Sequence, residues 1–255
     1  MQNSFRKICL MGTSFDALTM DDLSKYINDC INLNNNAVIS NHNMHSVALY
    51  HKNPDLKEFY AYSSVVHADG MALILWAKLL GYSVERDHRV TYVDWIRPLI
   101  AECAEKSWKV FFLGSAPVVA ERAASILCAE FPRLQLSFKD GFFDVDGPEN
   151  DLVVEAVNNF NPHILIVGMG MPRQERWIMA NRSRLRVNII LPAGACMDYV
   201  AGAVPTPPRW MGRVGLEWLY RLVSEPKRLA ARYLLEPWIL LPWVLKDLRQ
   251  RLKNL

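Results

Sequence analysis

Full nucleotide-binding signatures are missing from this chain. It has no complete GxGxxG fingerprint and no Walker loop with its Lys-Ser/Thr pair, which excludes the ordinary dinucleotide and P-loop designs. Cysteine is sparse: five residues, at 9, 30, 103, 128 and 196, none in a CxxC pair. That spacing gives no metal site, and an odd, scattered set fits a reduced cytoplasmic compartment better than a disulfide framework. No apolar run reaches the roughly 20 residues a bilayer-spanning helix needs. The N-terminus, MQNSFRKICLMGTSFD, has only a short apolar stretch and no small-residue cleavage site, so it does not read as a signal peptide. Internal repeats and low-complexity tracts are lacking too.

What is present argues for a packed α/β protein. Of 255 residues, 51% are hydrophobic, enough for one sizeable domain with an appendage and too many for wholesale disorder. The net charge of +3 is uneven: from Pro205 onward ten Lys/Arg face four Asp/Glu, leaving residues 1–204 at −3. A mildly acidic body with a basic tail argues against nucleic acid, which wants a wider basic surface. Anionic headgroups or phosphorylated substrates suit the tail better.

Apolar runs at 37–40, 64–67, 109–113, 134–138, 163–167 and 187–191 read as strands. Between them, helical patterns cover 20–33, 43–52, 54–62, 71–80, 93–106, 117–131, 149–160 and 172–183. This alternation predicts βαβ units and a Rossmann-like, mainly parallel sheet of about six strands. Such sheets bind ligands at the carboxyl ends of their strands. Most of the polar and glycine-rich turns, after Ser40, Ala68, Leu113, Val167 and Leu191, then share one rim. The proline-rich Val204–Pro208 marks a boundary, so the chain divides into an α/β domain, 1–204, and a helical appendage, 205–255. Tail helices are expected at 211–224, 226–235 and 237–252. The apolar stretch 233–245, holding Trp238 and Trp243 and flanked by Arg232, Lys246, Arg249 and Arg251, reads as an interfacial segment.

Asp69 is the sharpest candidate for a base. It ends a predicted central strand, where a carboxylate can take a proton from an acceptor hydroxyl. The competing reading is an N-cap for the helix beginning near Met71, which the local sequence alone favours. Asn41 ends another strand, as a sugar-binding amide or as a turn asparagine. His42 and His45 have no carboxylate or cysteine partner nearby, so no metal is expected. In Gly168-Met-Gly-Met-Pro-Arg-Gln-Glu175 a strand, a glycine turn and a helix opened by Pro172 converge, as in phosphate sites at helix starts; tight strand–helix packing would also want these glycines. Gly114 begins a weaker turn of the same kind. Arg89 either pairs with a phosphate or is a solvated loop charge. Arg221, Arg228 and Arg232 recur at spacings of seven and four, so one helical face can present them together.

Taken in order, Asn41, Ala68-Asp69-Gly70, Arg89-Val90-Thr91, Gly114, Gly141, Gly168-x-Gly170-x-Pro-x-Gln174-Glu175, Gly194-x-x-x-Asp198 and Gly215-Leu-Glu-Trp-Leu-Tyr-Arg221 resemble the WecG/TagA/CpsF family of bacterial glycosyltransferases over essentially the whole chain. The resemblance implies an inverting, cofactor-free and metal-independent transfer from a UDP-sugar to a sugar on undecaprenyl diphosphate. It places the family's base on Asp69, its pocket Thr and Asn on Ser40 and Asn41, its pocket arginine on Arg89 and its pocket glutamine on Gln174. It also implies that the appendage brings Arg221, Arg228 and Arg232 over the active site and docks on the inner face of the cytoplasmic membrane. Two departures stand near the sugar pocket: Tyr92 where the family often has glycine, and Ser40 where threonine is usual. They favour an exopolysaccharide branch using UDP-glucose over a UDP-N-acetylmannosamine donor. Rival readings are a non-catalytic nucleotide-sugar-binding subunit and a Rossmann-type oxidoreductase. Homo-oligomerisation is left open.

Overall fold

The computed structural model describes residues 5–253. A hairpin of β1 (Arg6–Leu10) and β2 (Thr13–Ala17) precedes a six-stranded sheet. The sheet comprises β3 (Ala37–His42), β4 (Val65–Ala68), β5 (Lys109–Gly114), β6 (Gln135–Lys139), β7 (Ile164–Gly168) and β8 (Ile189–Pro192). Its order is β4-β3-β8-β7-β5-β6, with every neighbouring pair parallel. The expected α/β class and its parallel sheet are therefore observed. Because all strands point one way, their carboxyl ends form a single rim.

Among the described residues, nine α-helices accompany the sheet: α1 (Met20–Asn32), α2 (Met44–Lys52), α3 (Pro54–Tyr62), α4 (Met71–Leu79), α5 (Tyr92–Lys106), α6 (Pro117–Glu130), α7 (Pro148–Phe160), α8 (Arg173–Asn181) and α9 (Cys196–Val200). Local chemistry explains their starts. The Thr19 side chain accepts from Asp22 N–H and the Asp22 carboxylate accepts from Thr19 N–H, a reciprocal capping box for α1. Leu23, Ile27 and Cys30 then recur on one buried face. Strands β3, β4, β5, β7 and β8 are buried almost throughout and correspondingly apolar, whereas the edge strand β6 is largely exposed. Along β5, Phe111 and Leu113 face one core while Val110 and Phe112 face the other.

Four features differ from the sequence reading. The hairpin was not expected; Met11 and Gly12, both with positive φ (46° and 70°), make its two-residue turn, the geometry that suits a twisted hairpin. The turn at 193–198 winds into α9 from Cys196 onward. The expected tail helix at 211–224 is broken into α10 (Arg209–Val214) and α11 (Glu217–Ser224) by Gly215, whose φ of 79° ends the first piece. Pro172 is the N-cap of α8 rather than its first helical residue. The tail closes with α12 (Pro226–Leu234) and α13 (Glu236–Lys253), the latter running through Pro242.

Helix α13 is fastened to the body. The buried Asp247 carboxylate accepts from Met11 N–H at 2.7 Å and from the Trp76 indole at 3.0 Å. Trp243 stacks on His51, with centroids 4.1 Å apart, and lies so close to Gly12 that a Cβ there would sit 2.8 Å from its ring. Asp247→Ala leaves two buried donors unpaired and should lower unfolding free energy by about 2–4 kcal/mol. Urea denaturation measures this, and limited proteolysis should release the tail first; Asp247→Asn, which keeps an acceptor oxygen, should lose less.

Candidate active site

Asp69 follows β4 on the rim. Its N–H donates to the His42 carbonyl at 2.8 Å, while Val90 N–H donates to the Ala68 carbonyl at 2.8 Å. These bonds hold the segment 89–91 beside the carboxylate. Gly70, not Asp69, is the N-cap of α4, and no side chain caps that helix. The capping alternative is thus set aside. The Asp69 carboxylate instead accepts from the Asn43 amide at 3.3 Å and faces a cleft of about 330 Å³. Withdrawal from water raises its pKa above the ordinary carboxylate value; the Thr91 hydroxyl, the Arg89 charge, the Asn43 amide and the Arg221 charge pull it back down.

The opposite wall of this cleft is the tail. Arg221 of α11 and Arg232 of α12 both line it, with Trp218, Tyr233 and Glu236. Arg221 lies over the Tyr199 ring at 5.8 Å, and Arg232 over Tyr233 at 5.7 Å. The Nε of each is buried without a hydrogen-bond partner. Arg232 also donates to the Asn43 Oδ1 at 3.4 Å. Asn43 therefore does three things at once: it caps α2, donates to Asp69 and receives a tail arginine. His45 and Glu236, 2.7 Å apart, close one side.

Other predicted residues lie elsewhere on the rim or beneath it. Ser40 is buried and donates to the Val65 carbonyl at 3.4 Å, across the β3–β4 pair. Asn41 is buried, with its carbonyl accepting from the Tyr60 hydroxyl at 3.0 Å. Neither lines the cleft; Asn43 occupies that position. The signal was visible, because an asparagine that caps a helix directly after a strand must stand at the rim. Arg89 is buried and bound to Asp94 and Glu217, so its charge is already met. Arg228 is exposed and paired with Glu225 at 2.6 Å, so only two of the three tail arginines reach the cleft.

The glycine turns gather at the ends of β5 to β8. A Cβ on Gly114 would stand 2.2 Å from the Gly168 carbonyl oxygen, and one on Gly168 2.7 Å from that of Gly194. A Cβ on Gly141 would come 3.1 Å from the Gly114 Cα. Close backbone approach requires these glycines whatever else they do. Gly170 is different: its φ is 76° and the space around it is open. Gln174 is fully buried, accepting from Gly194 N–H at 3.1 Å and donating to Glu175 at 2.7 Å. Burial lifts Glu175 to about 7, and its second oxygen has no partner. Asp198 accepts from Ser115 at 3.0 Å, and its neighbour Tyr199 reaches the cleft. Helix α9 thereby joins the glycine turns to the Asp69 cleft.

Among the described residues, no group of three or more His, Cys, Asp or Glu is placed to hold a metal ion. Among the same residues, no helix is long and apolar enough to cross a membrane.

Residues 8–254 match the family described as "Glycosyl transferase WecG/TagA/CpsF family". Similar curated proteins include N-acetylglucosaminyldiphosphoundecaprenol N-acetyl-beta-D-mannosaminyltransferases of Staphylococcus aureus, strains MW2 and NCTC 8325. Each is 26% identical over 233 residues, covering 88% of this chain and 87% of the relative. With the match spanning the body, the Asp69 cleft and the tail alike, the chain belongs to the WecG/TagA/CpsF family and is a glycosyltransferase.

Proposed function

We propose that this enzyme moves a hexosyl group from a UDP-sugar to a sugar carried on undecaprenyl diphosphate, in the assembly of a cell-envelope polysaccharide. The observation that carries the proposal is one cleft holding a desolvated carboxylate, Asp69, opposite two guanidinium groups, Arg221 and Arg232. Asp69 takes the proton of the acceptor hydroxyl. The oxygen then attacks the anomeric carbon, the bond to UDP breaks, and UDP departs with the electron pair. Attack opposite the leaving group inverts the anomeric centre. The guanidinium groups offset the charge growing on the diphosphate, work that metal ions do in other transferases. Family membership favours turnover over the rival reading of a non-catalytic binding subunit.

The relatives' printed activity supports an N-acetylmannosaminyl donor and an N-acetylglucosaminyl-diphosphoundecaprenol acceptor. The bulk of Tyr92, where the family often has glycine, supports UDP-glucose and an exopolysaccharide pathway. A panel of UDP-sugars with lipid-diphosphate-sugar acceptors, with and without EDTA, decides between them. Transfer should persist in EDTA, and a strict divalent-metal requirement would overturn the guanidinium role.

Asp69→Asn should reduce kcat by roughly 10²–10⁴, the range for losing a general base. The base acts when deprotonated, so with its pKa raised, kcat/KM should fall as pH drops through a value above the ordinary carboxylate range of about 4. A pH–rate profile of the wild type checks this; near-normal Asn-variant activity removes the assignment.

The tail also offers a surface for the membrane. Trp210, Leu234, Leu235, Trp238, Leu241 and Leu245 are all exposed. With nearby Lys and Arg, they suit peripheral attachment at the cytoplasmic face. Changing Trp210 and Trp238 together to Ser should cut sedimentation with anionic vesicles several-fold while leaving the fold intact; unchanged sedimentation would defeat this part of the reading.

A further inference from the structure

We infer that His45 holds the acceptor sugar, its Nε2 accepting a hydrogen bond from a hydroxyl other than the one that Asp69 deprotonates. Glu236 is the positioning residue that fixes the imidazole for this task. The inference rests on the proposed transfer to a lipid-linked sugar and goes beyond it by assigning a contact to the acceptor.

No carboxylate stands near His45 in the sequence; the fold brings one from the tail. His45 lies in the first turn of α2, two residues after Asn43, and Glu236 begins α13. The imidazole Nδ1 is 2.8 Å and 2.7 Å from the two Glu236 oxygens. An ionised carboxylate only accepts, so Nδ1 carries the proton and Nε2 presents a lone pair. A second proton is disfavoured: burial and the Arg232 charge hold the His45 pKa below its ordinary value, against the pull of Glu236. Nε2 has no partner among the described residues, and unlike the nitrogens of His67 it is not enclosed by protein. A pair that only fastened the tail would gain more from a charged imidazole, and α13 is already fastened through Asp247 and Trp243.

His45 and Glu236 line the same cleft of about 330 Å³ as Asp69. Asn43 joins the two sides, since its amide donates to Asp69 at 3.3 Å and it caps the helix turn that carries His45. The wall formed by His45 and Glu236 runs outward along α13. Pro237 and Leu240 also line the cleft, and Trp238 and Leu241 beside them are exposed on the face read above as meeting the membrane. A nucleotide sugar arrives from water, whereas a sugar on a lipid diphosphate arrives from the membrane. The His45 wall is therefore the acceptor's side of the cleft. Other polar groups there are engaged: the Asn43 oxygen accepts from Ser46 N–H and Arg232, and the Glu236 oxygens accept from His45. Arg221 and Arg232 can only donate. Nε2 is left free to accept from a hydroxyl, and two acceptors in one cleft, Nε2 and Asp69, suit two hydroxyls of one sugar ring.

The experiment compares wild type with His45→Phe, His45→Gln and Glu236→Leu. Steady-state kinetics use glucosyl- and N-acetylglucosaminyl-diphosphate polyprenols as acceptors, and calorimetry gives the Kd of UDP alone. His45→Phe keeps a ring and removes the accepting nitrogen; it should raise KM for the acceptor roughly tenfold while kcat and the UDP Kd stay unchanged. His45→Gln, whose amide oxygen can stand where Nε2 does, should recover most of that loss. Nitrogen-15 spectra of histidine-labelled wild type should show His45, identified by its absence from either His45 variant, as the neutral tautomer protonated at Nδ1. Its Nε2 signal should move on adding the acceptor and stay in place with UDP. Glu236→Leu should shift the proton toward Nε2 and raise the acceptor KM in step. A Phe variant with an unchanged acceptor KM, or a wild-type His45 protonated at Nε2, overturns the assignment of His45 alone. A wild-type protein that transfers to no lipid-linked sugar overturns the proposed reaction and this inference together.

Discussion

A carboxylate withdrawn from water stays ionised only where donors and cations replace the lost hydration, and around Asp69 these come from separate parts of the chain. The Asn43 amide arrives from the cap of α2, the Thr91 hydroxyl and the Arg89 charge from the loop before α5, and the Arg221 charge from the tail. Each source is fixed by a different device. Asn43 is held by its capping box with Ser46, residues 89–91 by the bond from Val90 N–H to the Ala68 carbonyl, and α11 by the Arg89–Glu217 pair. The site is therefore a product of the whole fold. A sheet with one antiparallel strand among these would have sent a turn to the wrong rim.

The parallel sheet was legible because its strands are near-continuous apolar runs separated by helices of fitting length, a pattern that leaves little else to build. Asp69 was legible as a rim residue for the same reason; its choice between capping and the cleft was not, since that depends on where α4 begins relative to Gly70. The pair Ser40 and Asn41 shows a sharper limit. Strand β3 runs two residues past the expected end, to His42, so Asn41 is still inside the sheet and Asn43 takes the rim. A two-residue difference at a strand end decides which side chain lines the cleft. The β1–β2 hairpin escaped notice because its turn depends on Met11 adopting positive φ, which its residue type does not advertise. The seven-and-four spacing of Arg221, Arg228 and Arg232 does not put them on one helix for a related reason: Glu225 separates α11 from α12.

Glycine in this protein answers first to packing. Gly114, Gly168 and Gly194 bring three turns so near one another that backbone touches backbone, and Gln174 ties Gly194 from below. This sets the turns against one another with no side chain between their backbones at these contacts. Close backbone approach is also what a bound diphosphate would need, so packing and the proposed phosphate role make the same demand of these glycines. Glu175, buried beneath with one free oxygen, keeps negative charge away from that surface as long as it holds its proton.

The tail affects Asp69 in two opposing ways. Docking brings Arg221 near, which favours the charged carboxylate, and at the same time covers Asp69, which disfavours it. Burial is the largest influence on Asp69 and raises its pKa, while the Arg221 charge of the tail acts the other way. The Arg89 charge bears on this balance, because Glu217 of the tail binds the same guanidinium that helps to hold Asp69 ionised. Fastening α13 through Asp247 and Trp243 is thus more than a matter of stability. With the far end of the tail anchored to the hairpin turn, Arg221, Arg232, Glu217 and the aromatic side chains Trp218 and Tyr233 are held over the cleft as one unit.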